Sequence, residues 1–247
     1  MKGPAIRAVM ERRLLVNYRV DPDLLASLLP APFRPALVSG YGIAGICLIR
    51  LSRVRPAGVP AKLGLTSENA AHRVAVCWDD SAGPVSGVYV PRRDTSSGLS
   101  ALAGGRLFPG WQHPAIFRVT ERDASIRVEV TSRDGAVRIV AAGHAASDLP
   151  PGSVFADVGS ASRFFECAPL GYAATPTQGL FDGIKLETEG WQLSPLRLDE
   201  VHSSFFDDPG RFPAGAAVPD SAFLMGGLAT TWHPQPPLRV TAQGLKP

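Results

Sequence analysis

Proline and glycine are scattered through the whole chain, 23 and 25 of them in 247 residues. Proline removes a backbone donor and glycine weakens the interior of helices and strands, so a chain punctuated in this way cannot carry many long helices. It suits many short strands joined by turns. The length allows one large domain that buries about 70% of its unfolded surface and needs no disulfide or metal to hold a core. With 45% hydrophobic and 19% charged residues the chain is globular, not disordered.

Several function classes drop out early. A net charge of +3 is too small for a nucleic-acid binder. No apolar run approaches the roughly 18 residues of a membrane span, and the opening MKGPAIRAVMERR lacks the apolar centre of a signal peptide. The cysteines Cys47, Cys77 and Cys167 are odd in number and far apart. Cys47 and Cys77 sit in the apolar stretches GICLI and VAVCW, where a reduced thiol packs as a small hydrophobe. These features lead us to expect a soluble, cytoplasmic protein. Lysine-based chemistry has four candidates, Lys2, Lys62, Lys185 and Lys246.

Alternation marks the strands. Leu14 to Tyr18 reads as the first; Asp21-Pro22 then opens a short helix with Leu24, Leu25, Leu28 and Leu29 on one face, stopped by Pro30. Tyr41 to Leu51 is a strand bent or closely approached at Gly42 and Gly45, and Arg53 to Gly64 reads as a loop. His72, Val74, Val76 and Trp78 face one way and Arg73, Ala75 and Cys77 the other, with Val85 to Val90 as the antiparallel neighbour. Asp94 can cap a helix carrying Leu99, Leu102 and Leu107, ended by Gly104-Gly105. Ala115–Thr120, Ser125–Thr131 and Ala136–Ala141 alternate, the last two joined by a turn with an Asp-Gly step at Asp134-Gly135. Ser160 caps a second helix bearing Phe164 and Phe165; Ile184–Glu189, Leu196–His202 and Phe223–Trp232 complete a mainly antiparallel, single-domain architecture.

Phosphate-cradling glycine motifs, a GxSxG elbow and paired histidines are all missing, so no cofactor and no metal is expected. The stretch Gly87-Val-Tyr-Val-Pro-Arg-Arg-Asp-Thr-Ser-Ser97 is the most informative. Neighbouring side chains of an extended chain point to opposite faces, so Arg92 and Arg93 cannot both enter one pocket. A guanidinium in a pocket suits a carboxylate, to which its fork donates two parallel hydrogen bonds; surface ion pairing is the alternative. Glu68 lies four residues before His72 and could act with it as acid and base, against the plainer reading of a cap and a core histidine. His202-Ser203-Ser204 offers a base beside a nucleophile with nothing to position a third group. Lys185 alternates with Ile184 and Leu186 and should pair outside the core with Glu187 or Glu189.

The segment from Leu15 to Leu25 with Leu28-Leu29-Pro30 resembles the opening of acetoacetate decarboxylase-like proteins, and Val90-Pro91-Arg92-Arg93 is similar to the decarboxylase's Tyr-Pro-Lys-Lys. GVYxPRRDTSS (87–97), ALAGGRLFPG (101–110), residues 201–208 and Thr231-Trp232-His233 together resemble a poorly characterised bacterial branch of that superfamily, over roughly residues 10–235. The resemblance implies a bent antiparallel sheet closing into a cone-like barrel with short flanking helices and one interior cavity. It does not imply decarboxylation. In the family that the chain resembles, the first lysine forms a Schiff base and the second lowers the pKa of the first; arginines at Arg92 and Arg93 form no stable imine.

Two readings follow. In the first, the cavity binds a small anionic carboxylate or keto acid, with Arg92, Arg93, Tyr89 and His202 touching the ligand and Arg92, Glu68 and His72 acting on it. In the second, the protein is a non-catalytic binder of an apolar metabolite, its arginines are structural, and its interior is filled by its own side chains. Either way the partner is a small molecule, not nucleic acid or membrane, and a homo-oligomer stays open.

Overall fold

The computed structural model describes residues 4–80, 83–98, 111–241 and 244–246. Their strands are β1 (Ile6–Val20), β2 (Arg34–Pro35), β3 (Leu37–Val38), β4 (Tyr41–Pro56), β5 (Leu65–Asp80), β6 (Gly83–Thr95), β7 (Gln112–Arg122), β8 (Ser125–Ser132) and β9 (Arg138–Ala145). They continue with β10 (Leu170–Ala174), β11 (Leu180–Thr188), β12 (Ser194–Ser203), β13 (Ala217–Met225), β14 (Leu228–Thr241) and β15 (Gly244–Lys246). Among the described residues, the helices are α1 (Pro22–Leu28) and α2 (Val158–Glu166), and a 3-10 turn spans Ala61–Leu63.

Two long strands fork, and the forks close the sheet twice. On one edge of β1, Ile6–Met10 pairs with β14 while Arg13–Val20 pairs with β13; β4 occupies the other edge. On one edge of β6, Gly87–Val90 pairs with β10 and Arg93–Thr95 with β7, while β5 takes the other edge. One circuit therefore runs β1-β4-β5-β6-β10-β11-β14 and back to β1; a second runs β1-β4-β5-β6-β7-β8-β9-β12-β13 and back. The pairing is antiparallel except at β6–β10 and β6–β7. The barrel expected from the sequence is present, as two rings sharing one wall.

Because the shared wall is covered on both sides, its alternating residues fill two different cores. Leu14, Val16, Ala44, Ile46, Leu48, Val74, Val76 and Trp78 point into the larger core, with Tyr18 stacked on Phe206 at 4.1 Å. Leu15, Ile43, Cys47, Ala75 and Phe223 point the other way, toward α2. That helix has a reciprocal cap: Asp157 accepts from Ser160 N at 2.6 Å, while Asp157 N donates to Ser160 Oγ at 3.1 Å. Asp157, not Ser160, is thus the cap, since the serine sits one turn in. Its inward face carries Ala161, Phe164 and Phe165.

Asp21 caps α1 as expected, accepting from Leu24 N at 2.9 Å, and the turn between β8 and β9 places Gly135 at φ +73°. Other boundaries differ. Asp94 caps no helix; it lies inside β6, and the helix read beyond it, with Leu99, Leu102, Leu107 and Gly104-Gly105, lies outside the described residues. The loop read over 53–64 begins as strand to Pro56. Phe223–Trp232 is two strands, divided at Gly226-Gly227 with Gly227 at φ +71°. β10 is an unread strand, too short and glycine-broken to show alternation.

Gly45 allows β1 and β4 to touch: a Cβ there would stand 2.2 Å from the Val16 carbonyl oxygen, a backbone atom that cannot swing away. Gly45→Ala should therefore lower unfolding stability by about 1–3 kcal/mol in urea titrations, as overpacking does; an unchanged midpoint would contradict the close approach.

Candidate functional site

A cavity of about 400 Å³ lies where the two strands fork, with Met10 and Arg13 from β1, Val90 and Arg93 from β6, and α2 with Trp191 and Trp232 on its walls. Arg92 does not line it. The reason is a bulge: His72 faces Arg92 and Val74 faces Tyr89 across β5–β6, so Val90 and Pro91 together oppose the single residue Arg73. Proline, with no N–H to give the ladder, is at home in such an irregularity. The extra residue inverts the alternation, so that Arg93 joins Val88 and Val90 on the cavity side while Arg92 joins Tyr89 on the other.

Three guanidiniums meet on the cavity side. Arg13 donates from Nε to Cys47 Sγ at 3.2 Å and lies over the Trp191 ring, 5.7 Å from its centre. Arg73, 4% exposed, donates to Asn17 Oδ1 across the gap that Gly45 leaves, and lies 4.9 Å from the centre of Phe165. Arg93 stands beside Ala71 on β5 and Gln112 on β7. Burial pushes Arg73 and Arg93 each down to about 10; Cys47 partly offsets it at both, Arg13 adds to it at Arg73, and Asp182 also offsets it at Arg93. Arg13 Nη1, Arg73 Nε, Arg93 Nε, Gln112 Oε1 and Thr188 Oγ1 are buried and lack a hydrogen-bond partner among the described residues. An unmade hydrogen bond at a buried polar atom costs about 1–3 kcal/mol, more for a charged group. All five belong to residues that line the cavity, where Asp94, Glu166 and Glu187 also stand.

The other expected site residues are elsewhere. Arg92 grips Asp94 and Asp134, each at 2.9 Å. Glu68 lies inside β5, not before it; it is bound by Arg12 and by Arg50 Nε at 2.6 Å. Four residues along a strand separate Glu68 and His72 by roughly 13 Å, too far for an acid–base pair. His72 is 1% exposed on the face opposite the cavity, 3.4 Å from Ser203 Oγ, with its ring 4.9 Å from that of Phe205. Burial, then the charges of Arg92 and Arg211, lower its pKa to about 3, which keeps it neutral. Tyr89 packs between Phe33 and Phe181, and burial raises its pKa. His202 is exposed beside Glu200 and Asp207. Lys185 pairs loosely with Glu187 at 3.9 Å, outside the cavity lining, as its alternation implied. The sequence placed Arg73 on the face opposite His72, placed Cys47 in an apolar strand, and did not single out Arg13.

No group of three His, Cys, Asp or Glu converges as a metal would require, and no helix is long and apolar enough to cross a membrane, among the described residues. The fold is that of acetoacetate decarboxylase-like proteins. The enduracididine biosynthesis enzyme MppR complexed with pyruvate matches at TM-score 0.60 and 13% identity, over 94% of this chain and 90% of its own. The acetoacetate decarboxylase of Legionella pneumophila matches at TM-score 0.59 and 15% identity, over 95% and 88%. An acetoacetate decarboxylase-like enzyme from Sphingomonas wittichii RW1 matches at TM-score 0.59 and 11% identity, over 98% and 94%. Within that fold the chain belongs to the DUF2071 family of uncharacterized conserved proteins, whose pattern matches residues 7–221. No curated protein matches it.

The buried neutral histidine has a measurable signature. In the unfolded chain His72 takes up a proton near pH 6.5, whereas in the folded protein it does so only near pH 3. The unfolded state thus binds more protons between these values, and stability falls as pH drops below 6.5, by up to about 1.4 kcal/mol per pH unit. Between pH 6.5 and 5, above most carboxylate titrations, His72→Gln should flatten this slope in urea midpoints; an equal slope in both proteins would place the titration elsewhere.

Proposed function

We propose that the protein binds a small carboxylate, a 2-oxo acid of about the size of pyruvate foremost, in the cavity between the two forks. The observation that carries this reading is the set of buried guanidinium nitrogens on Arg13, Arg73 and Arg93 that lack partners among the described residues. A carboxylate offers several lone pairs in the plane that a guanidinium addresses, and would offset the charges that burial has left costly. The aromatic walls suit an apolar body on the same ligand. A pyruvate complex of a protein with this fold supports the substrate class.

The reading excludes the lysine chemistry of the decarboxylase. A Schiff base needs an amine, and the described residues that line the cavity include three arginines and no lysine. The space also weighs against an interior filled by its own side chains, because about 400 Å³ exceeds the volume of a few waters at ~30 Å³ each. Free Cys47, Cys77 and Cys167 accord with a reducing, cytoplasmic setting.

Isothermal titration with pyruvate and with its neutral analogue pyruvamide tests the proposal. The acid should bind and the amide should not, and Arg93→Met should weaken the acid at least tenfold, since a hydrogen bond to a charged group is worth about 1.5–3 kcal/mol. Equal binding of acid and amide would reject the carboxylate site. Borohydride treatment with acetoacetate should leave no covalent adduct; a trapped adduct on any lysine would restore the amine mechanism.

A further inference from the structure

We propose that Cys47 is a nucleophile of this cavity, aimed at carboxylates that carry an electrophilic carbon. The proposal rests on the carboxylate reading above and adds a reacting atom to it. Cys47 is a free thiol, 4% exposed, and lines the cavity from the middle of β4. Across the shared wall it stands in one row with Ala71 and Arg93, and Gly45-Arg73 forms the next row on the same face. Arg13 supplies the link between ligand and sulfur: its Nε donates to Cys47 Sγ at 3.2 Å, while its Nη1 is buried without a partner among the described residues. One guanidinium therefore addresses the sulfur and has a second donor for a bound carboxylate, which brings the carbon next to that carboxylate toward Sγ.

The surroundings favour the chemistry as well as the geometry. A sulfur attacking an electrophile carries negative charge, and cations fixed around it stabilise that charge most where water is scarce. Arg73 and Arg93 stand with Cys47 on this face, and its proximity offsets only part of the lowering that burial imposes on the two guanidiniums. Gln112, 7% exposed with Oε1 unpartnered among the described residues, faces the same space from β7 and independently indicates a polar ligand there. With a 2-oxo acid the step balances without an oxidant. An S–C bond forms at the keto carbon, the carbonyl π pair moves onto oxygen, and that oxygen takes the proton that the thiol gives up. The product is a reversible hemithioketal.

Iodoacetate and iodoacetamide test the idea on the folded wild-type protein, because both react by forming an S–C bond as iodide leaves and only one is a carboxylate. Peptide mapping by mass spectrometry follows Cys47, with exposed Cys167 as the internal reference. Iodoacetate should modify Cys47 faster than iodoacetamide by about tenfold or more, the range over which a cleft of one charge accelerates arrival of the opposite charge. Cys167 should show no such preference, and pyruvate should slow labelling of Cys47 alone. Arg13→Gln should slow labelling of Cys47 by neutral iodoacetamide, a loss that carboxylate capture cannot explain. If Cys47 resists both reagents while pyruvate still binds in titrations, the nucleophile is refuted and the carboxylate site survives. If both reagents label Cys47 at one rate, and pyruvate neither protects it nor binds, both proposals fall.

Discussion

Three guanidiniums share one face of a wall that is closed from behind by a hydrophobic core. Arg73 is buried and Arg13 and Arg93 are half-buried, and burying an ion costs about several kcal/mol. Elsewhere in the protein that cost is offset by carboxylates: Arg12 and Arg50 bind Glu68, and Arg92 binds Asp94 and Asp134. On the cavity side the offsets are weaker. Arg73 leans on an amide oxygen and a ring, and Arg13 on a sulfur and a ring. The same sheet thus has cations bridged by carboxylates on one side and, on the other, cations held by an amide, a sulfur and rings, with Asp182 attracting Arg93. That asymmetry is what gives the cavity its chemical character.

The asymmetry originates in backbone irregularity. Pro91 sits in the bulge that opposes Arg73, and one additional residue is enough to exchange the faces of everything after it. Gly45 acts in the perpendicular direction, letting β1 and β4 approach so that Asn17 reaches Arg73. Neither residue touches a ligand, yet both decide which side chains can.

The strand architecture was legible in the sequence because period-two alternation is a local property. The segments around His72–Trp78, Ser125–Thr131 and the Asp134-Gly135 turn fall where the pattern places them. The site was legible in kind, a strand-end arginine pair next to a proline, but not in detail. Strict alternation puts Arg92 on the face of Val88 and Val90; only the pairing with β5 reveals the bulge that hands this position to Arg93. Glu68 and His72 looked like partners because a loop entering the strand could turn one toward the other; both lie inside β5, whose extended spacing holds them apart. Arg13, Cys47 and Arg73 are separated in sequence and meet only when β1, β4 and β5 align, so no local signal marks them as a group. Cys47 in particular is indistinguishable from packing material until its neighbours across the sheet are known.

The forked first strand has a further consequence, for how the chain reaches this state. β1 needs β13 and β14 along one edge, and these follow every other strand of the two rings in the chain. Until they arrive, that edge is a row of unsatisfied backbone groups beside some of the most apolar sequence in the protein, from Leu14 to Val16. Neither ring can close on a partial chain. Such long-range pairing makes folding slow and leaves the nascent polypeptide exposed to self-association. Newly synthesised copies should accordingly depend on chaperone shelter until β14 has emerged, and truncation within β14 should be felt in β1.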